Sequence, residues 1–183
     1  MDYLILVNRD NRLSKDYIPP SLVDANSLYK KGIKIDSKTL EMFNLMKKEA
    51  LKHNYNIDIM SAYRTYKYQK KIYSKLIDEK GYNYALRHIA PPGSSEHQTG
   101  LAVDICIYKD DKCYIEHDIS ELDELKWIHK NAYRFGFIIR YPEDKESITG
   151  YNYEPWHLRY VGSAARYIHE HHLSLEEYKK LVK

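Results

Sequence analysis

Three side chains, in two separate stretches of the chain, have the types that chemistry needs. In "PGSSEHQTGLAVDI" (residues 92–105) a polar, glycine-punctuated stretch runs into an apolar one that holds a single carboxylate, Asp104. Such a carboxylate is costly unless a charge or hydrogen-bond donors meet it. His97 stands seven residues before it, and His157 lies in "YEPWHLRYVG", about fifty residues further on. Two imidazoles and a carboxylate can hold one divalent metal. A catalytic zinc takes three such ligands and keeps a fourth position for water.

A base stands beside the third ligand. In "EPWH" Glu154 precedes Pro155, which pushes it away from helical geometry. This is therefore not the helical His-Glu-x-x-His arrangement. A regular strand would put Glu154 and His157 on opposite faces, so a bend at Pro155–Trp156 is needed for both to face one metal. Bound metal lowers the pKa of water from about 15.7 toward about 7, where a carboxylate suffices as base. Arg64 closes "IDIMSAYR". There its two-pronged guanidinium can meet a carboxylate or a developing oxyanion. Gln69 follows in the next helix, and Ser94 and Ser95 flank His97 in position to contact substrate or serve the turn.

Two other features carry less. "HEHH" (His169–His172) looks metal-rich, yet Leu173 stands where a helical zinc motif needs its second histidine, so a solvated helix face is expected. The 19 tyrosines and two tryptophans read as core and groove lining, with Trp156 on the substrate side. Base stacking would need a basic stripe beside them.

The positioning elements follow from periodicity. "MDYLILVNRD" reads as a first strand. A helix starts after Ser37 as N-cap, with Leu40, Phe43, Met46, Ala50 and Leu51 as its apolar stripe. The strand ending near Arg64 leads to a helix capped by Thr65, lined by Tyr68, Ile72 and Leu76 and stopped by Gly81. Gly93 and Gly100 give the His97 loop its backbone freedom. The strand 101–108 then turns through "IYKDDK" into a second near 113–116, Cys106 and Cys113 flanking the turn as unpaired thiols. Ser120 opens a helix with Leu122, Leu125, Ile128, Ala132 and Phe135 inward, ended by Gly136. Strands at "FIIRY" and "WHLRYVG" and a helical tail, with Ser174 and Glu177 as a capping box, complete the chain. Hairpin-like pairs rather than a steady strand–helix alternation imply an α+β fold, a small antiparallel sheet with helices packed around it.

The 183 residues suit one domain spanning 1–183, with a core over 3–162 and a helical tail over 163–183. Net charge is +3 with acids and bases interleaved, which argues against a nucleic-acid partner. The sequence holds no apolar run of membrane-spanning length and no signal peptide, so a cytoplasmic location is expected for the chain as it stands, and an extracytoplasmic, anchored one if a leader has been trimmed.

"SSEHQTGLAVD" followed by "YEPWHLRYVG" resembles the VanY-type D-alanyl-D-alanine carboxypeptidases, a zinc peptidase group that includes VanX dipeptidases, bifunctional VanXY enzymes and hedgehog domains. "SAYRTYKYQ", "FGFIIRYPEDKESITGYNYEPWH" and "LVNRDNRLSKDYIPPSLV" extend the resemblance over residues 3–162. It implies one Zn2+ on His97, Asp104 and His157, Glu154 as base, Arg64 holding substrate near the scissile bond, and Gln69 and Ser95 as substrate contacts. The implied substrates are peptidoglycan stem peptides or precursors ending in D-Ala-D-Ala, whose destruction would protect against glycopeptide antibiotics. An L,D-carboxypeptidase, a cell-wall endopeptidase or a non-catalytic zinc-binding module would share the same motifs.

Overall fold

The computed structural model describes residues 1–182. It has the expected α+β architecture, built on β4 (Ala102–Lys109) at the centre of an antiparallel five-stranded sheet. β3 (Asn56–Ser61) pairs with one edge of β4. The other edge is shared by β7 (His157–Tyr160), opposite residues 102–104, and β5 (Lys112–Ile115), opposite residues 106–109. β6 (Phe137–Ile139) extends the sheet beyond β7. A separate two-stranded ribbon, β1 (Leu22–Asp24) with β2 (Lys34–Asp36), leads into helix α1 (Ser37–Leu51).

Strand period decides the two faces of β4. Val103, Ile105 and Ile107 point into the main core with Phe43, Met46 and Ala50 of α1, Ile57 and Ile59 of β3, and Phe137 and Leu158. Ala102, Asp104 and Cys106 point the other way. Register then places Asp104 opposite His157 on one side and Ser61 on the other. A bulge between Ile59 and Ser61 breaks the β3 ladder at the level of Asp104, the kind of irregularity that re-aims side chains beside a site.

Helices α2 (Tyr66–Lys80) and α3 (Tyr82–His88) follow β3, and α4 (Asp123–Asn131) follows β5. The short α5 (Glu146–Thr149) lies in the 142–156 loop, and α6 (Ala164–Glu170) and α7 (Leu175–Leu181) form the tail. The tail packs a second core of Val161, Ala165, Ile168 and Leu175 with Ile138. Among the described residues no helix is long and apolar enough to cross a membrane.

Several local expectations are corrected. The opening residues form no strand: they wrap irregularly, with Val7 buried and the carbonyls of Tyr3 and Ile5 taken by Arg159. Asp36, not Ser37, caps α1, its Oδ1 accepting from Thr39 N at 2.9 Å, and Leu51 is exposed. α2 keeps its Thr65 cap and Gly81 stop, but its inward face is centred on Gln69 and Tyr73, with Tyr68 exposed. α4 begins at Asp123 after Leu122 without a side-chain cap, so Ser120 does not open it. The tail's capping box, Ser174 with Glu177, is present as expected.

Candidate active site

The segment that carries His97 is held by geometry only glycine tolerates. Gly93 has φ +85°, and a Cβ there would sit 2.7 Å from the Leu13 carbonyl. Gly100 has φ +73°, and a Cβ would press on Asp36 N at 3.2 Å. Between them the short 3-10 helix Glu96–Thr99 is wholly buried, and its His97 carbonyl accepts from Arg64 N at 3.1 Å. On the far side the chain turns at Pro155–Trp156, as the placement of Glu154 requires. Glu154 N donates to Tyr141 O, His157 N to Glu154 O, and His129 Nε2 to Pro155 O.

His97 Nδ1 donates to the Ala62 carbonyl at 2.5 Å. A carbonyl can only accept, so in the neutral ring the lone pair is on Nε2, which lies 3.1 Å from Asp104 Oδ2. His157 Nδ1 lies 3.1 Å from Asp104 Oδ1 and 3.5 Å from Glu154 Oε2. One donor atom from each of His97, Asp104 and His157 falls within 4.8 Å of the other two. Asp104 Oδ1 is buried with no hydrogen-bond partner. Two imidazoles and a carboxylate turned to one point, with an acceptor left over, fit a zinc ion.

Charge around this point is displaced from ordinary values. Burial pushes Glu154 up to about 7 against the pull of His157. His157 behaves oppositely: burial would lower it, but the carboxylates of Asp104, Glu96 and Glu154 that face its two ring nitrogens lift it to about 9. Asp104 is held well below the usual carboxylate range by His97 and Arg64, which together overcome its burial. Arg64 Nη2 contacts Asp104 Oδ2 at 2.5 Å, and its Nε and Nη2 donate to Ser61 Oγ.

Eight of the nine residues singled out in the sequence, Arg64, Gln69, Ser95, His97, Asp104, Glu154, Trp156 and His157, line one cavity of about 200 Å³, while Ser94 is buried and is not part of its lining. Gln69 Nε2 donates to Ala90 O at 2.8 Å, pinning the loop before Gly93, while its buried Oε1 has no partner. Trp156 packs edge-on against His117 at 4.6 Å. The His169–His172 cluster is exposed and takes no part. Sequence reasoning missed Glu96, Glu116, Tyr141 and Tyr151, which line the same cavity. Glu96 sits inside the quoted motif, between Ser95 and His97, and its burial is the signal that was absent from the sequence.

An antiparallel sheet that aims two histidines, an aspartate and a raised glutamate into one cavity defines a hydrolase-type centre. The family model for VanY, D-alanyl-D-alanine carboxypeptidase, matches residues 32–163. The chain belongs to that family and is a peptidase. It is 35% identical to the bifunctional D-Ala-D-Ala dipeptidase and D-Ala-D-Ala carboxypeptidase VanXYC of Enterococcus gallinarum, over 97% of this chain and 94% of that protein. It is 41% identical to the putative carboxypeptidase YodJ of Bacillus subtilis (strain 168), over 98% of this chain and 68% of that one. Among solved structures, the LD-carboxypeptidase LdcB superposes with TM-score 0.88 at 41% identity, over 96% of this chain and 84% of that one. The vancomycin-resistance D,D-pentapeptidase VanY in complex with Zn(II) superposes with TM-score 0.83 at 36% identity, over 98% and 99%.

Proposed function

We propose that this peptidase is a zinc-dependent D,D-carboxypeptidase that removes the terminal D-alanine from peptides ending in D-Ala-D-Ala, as on peptidoglycan precursors, and that also takes the free dipeptide. The carrying observation is the position of Glu154, 3.5 Å from His157 Nδ1 at the edge of a three-donor set, with its carboxyl raised to about 7. His97, Asp104 and His157 would hold one zinc. Bound there, the ion supplies a Lewis acid that polarises a carbonyl and acidifies water.

The chain's own residues do the remainder. Glu154 takes a proton from the attacking water as its oxygen bonds to the scissile carbonyl carbon. It then gives that proton to the amide nitrogen as the C–N bond breaks, releasing D-alanine as the free amine. A cation on the donor set favours the ionised, basic form of Glu154, so the base is ready when the site is loaded. The Arg64 guanidinium, anchored on Ser61 and Asp104, is placed to meet the oxyanion or the substrate carboxylate. Gln69 Oε1, buried without a partner, is an acceptor for a substrate N–H. Ser95 and Trp156 complete the substrate wall.

The likeness to LdcB favours a second reading, an L,D-carboxypeptidase acting on the tetrapeptide. D-alanine release from pentapeptide, tetrapeptide and D-Ala-D-Ala dipeptide, by zinc-loaded and by chelated protein, separates the two. The pentapeptide is expected to be cut fastest, and only with zinc. Faster release from the tetrapeptide replaces D,D with L,D specificity. A zinc-loaded protein that cuts none of the three refutes both.

A further inference from the structure

The tail helix α7 reaches the candidate site through buried charges. Arg140, the residue after β6, donates from Nη1 and Nη2 to the Glu176 carboxylate of α7 at 2.9 and 2.6 Å, and from Nε to Glu96 Oε1 at 2.8 Å. Arg159 of β7 donates from Nη1 to the same Glu96 oxygen at 2.6 Å, and its other donors go to the carbonyls of Tyr160, Tyr3 and Ile5. Both arginines are 0% exposed, Glu96 is 1% exposed and Glu176 is 8% exposed. One Glu96 oxygen is thus held by two guanidiniums. The other, Oε2, is buried with no hydrogen-bond partner.

Opposite that oxygen, at 3.8 Å, stands His157 Nε2, which is also buried without a partner. Two orphaned polar atoms facing each other inside a protein call for a common explanation. A closure of about 1 Å turns the contact into an ordinary hydrogen bond. An imidazole that binds metal through one nitrogen commonly donates the other N–H to a carboxylate.

We propose that Glu96 is the positioning residue for His157, and that Glu176 on the tail helix keeps Glu96 in place through Arg140. The inference rests on the metal-site reading above. His157 Nε2–H donates to Glu96 Oε2, which leaves the lone pair on Nδ1, the atom that faces Asp104 and Glu154. Two arginines and two glutamates balance, so the ring is oriented without adding net charge behind the site. The tail is then a working part of the peptidase, although the motifs that define the family stop before it.

Zinc affinity by chelator competition, the visible spectrum of the Co(II)-substituted protein and the thermal midpoint of the metal-free form test this on wild type, Glu96→Gln, Glu176→Gln and Ser174→Ala. Glu96→Gln is expected to weaken zinc binding about 10–100-fold and to change the Co(II) spectrum. Glu176→Gln should move both in the same direction by less. Ser174→Ala, which loosens α7 without touching the charge chain, should lower only the midpoint. Wild-type affinity and spectrum in Glu96→Gln overturn the proposal, and in Glu176→Gln they remove the tail from it. Should Glu96→Gln fail to fold, nitrogen NMR of the zinc-loaded wild type decides: a proton on His157 Nε2 supports the assignment, and one on Nδ1 refutes it. A wild type that binds no zinc overturns the metal site and this inference together, whereas a zinc-binding wild type beside an indifferent Glu96→Gln overturns this inference alone.

Discussion

Two clusters of buried charge adjoin each other in this molecule, sharing the segments 96–97 and 157–159, and they differ in closure. Behind, each guanidinium nitrogen of Arg140 and Arg159 is met by Glu96, Glu176 or a carbonyl, and the one open atom, Glu96 Oε2, is turned toward the front cluster. In front, Asp104 Oδ1 and Gln69 Oε1 have no partner, while Glu154 and His157 are shifted to about 7 and about 9. Burial alone does not distinguish scaffold from site. Satisfaction does: a closed network fixes a shape, whereas an open one waits for a ligand and tunes its acids and bases meanwhile.

The sharpest way to break this comparison is at Glu154. Glu154→Gln keeps the shape and removes the base. Release of D-alanine from a D-Ala-D-Ala peptide should fall about 10³-fold, within the range for general acid–base catalysis, with zinc affinity and thermal midpoint little changed. Full hydrolysis by this variant would make the front cluster something other than a catalytic site.

The rear cluster should fail in the opposite sense. Arg140→Met strips Glu176 of both charged bonds and Glu96 of one, which costs about 3–5 kcal/mol, as for removal of one partner from a buried pair. At this chain length that lowers the thermal midpoint by about 6–20 °C. Acid adds a second check. Glu96 is depressed below the usual carboxylate range because the two guanidiniums outweigh its burial. Its contribution to stability is therefore present above the unfolded value of about 4.3 and is lost as pH falls below it. Wild type should lose stability there faster than Glu96→Gln, measured by thermal unfolding between pH 3 and 6.

The front cluster was legible in the sequence and the rear one was not, for a physical reason. Asp104 stood out because an apolar run surrounded it. Arg140 in "FIIRY" and Arg159 in "HLRYV" interrupt apolar runs in the same way. Strand alternation, however, assigns such charges to a solvated face, and only the tail and the opening segment, folding over from both ends of the chain, show that face to be covered. The same covering explains the false first strand: residues 3–5 spend carbonyls on Arg159 rather than on a ladder. The first real ribbon has strands of three residues, too short for periodicity to reveal. The inward face of α2 was misread because Gln69, a polar residue, turns in to hold Ala90. The antiparallel sheet came through because neighbouring strands such as β4 and β5 pair as hairpins, and Asp104, His97, Glu154 and His157, each of which breaks a local rule in the sequence, do meet in one cavity.

A smaller effect sharpens the electrostatics of the front. With no cation present His157 is protonated below about 9, and a proton on Nδ1 must leave before that atom can bind metal. Apparent zinc affinity should therefore rise about tenfold per pH unit between pH 7 and 9 and level off above. Isothermal titration in buffers of different ionisation enthalpy should count the released protons. A flat profile would mean that His157 is neutral before metal arrives, and the contrast in charge between the two clusters would shrink.

The smallest expected change lies at the start of α7. Ser174 Oγ accepts from Glu177 N and the Glu177 carboxylate accepts from Ser174 N, so Ser174→Ala removes one half of a reciprocal cap and costs about 1 kcal/mol. Glu176 lies in the first turn of that helix, but Leu175, fully buried in the second core, still anchors it. The thermal midpoint should drop by about 2–4 °C while kcat/KM at 25 °C stays at the wild-type value. Activity falling in step with so small a loss of stability would mean that the rear cluster holds its geometry only while α7 is fully capped. The closed network would then be the more fragile of the two.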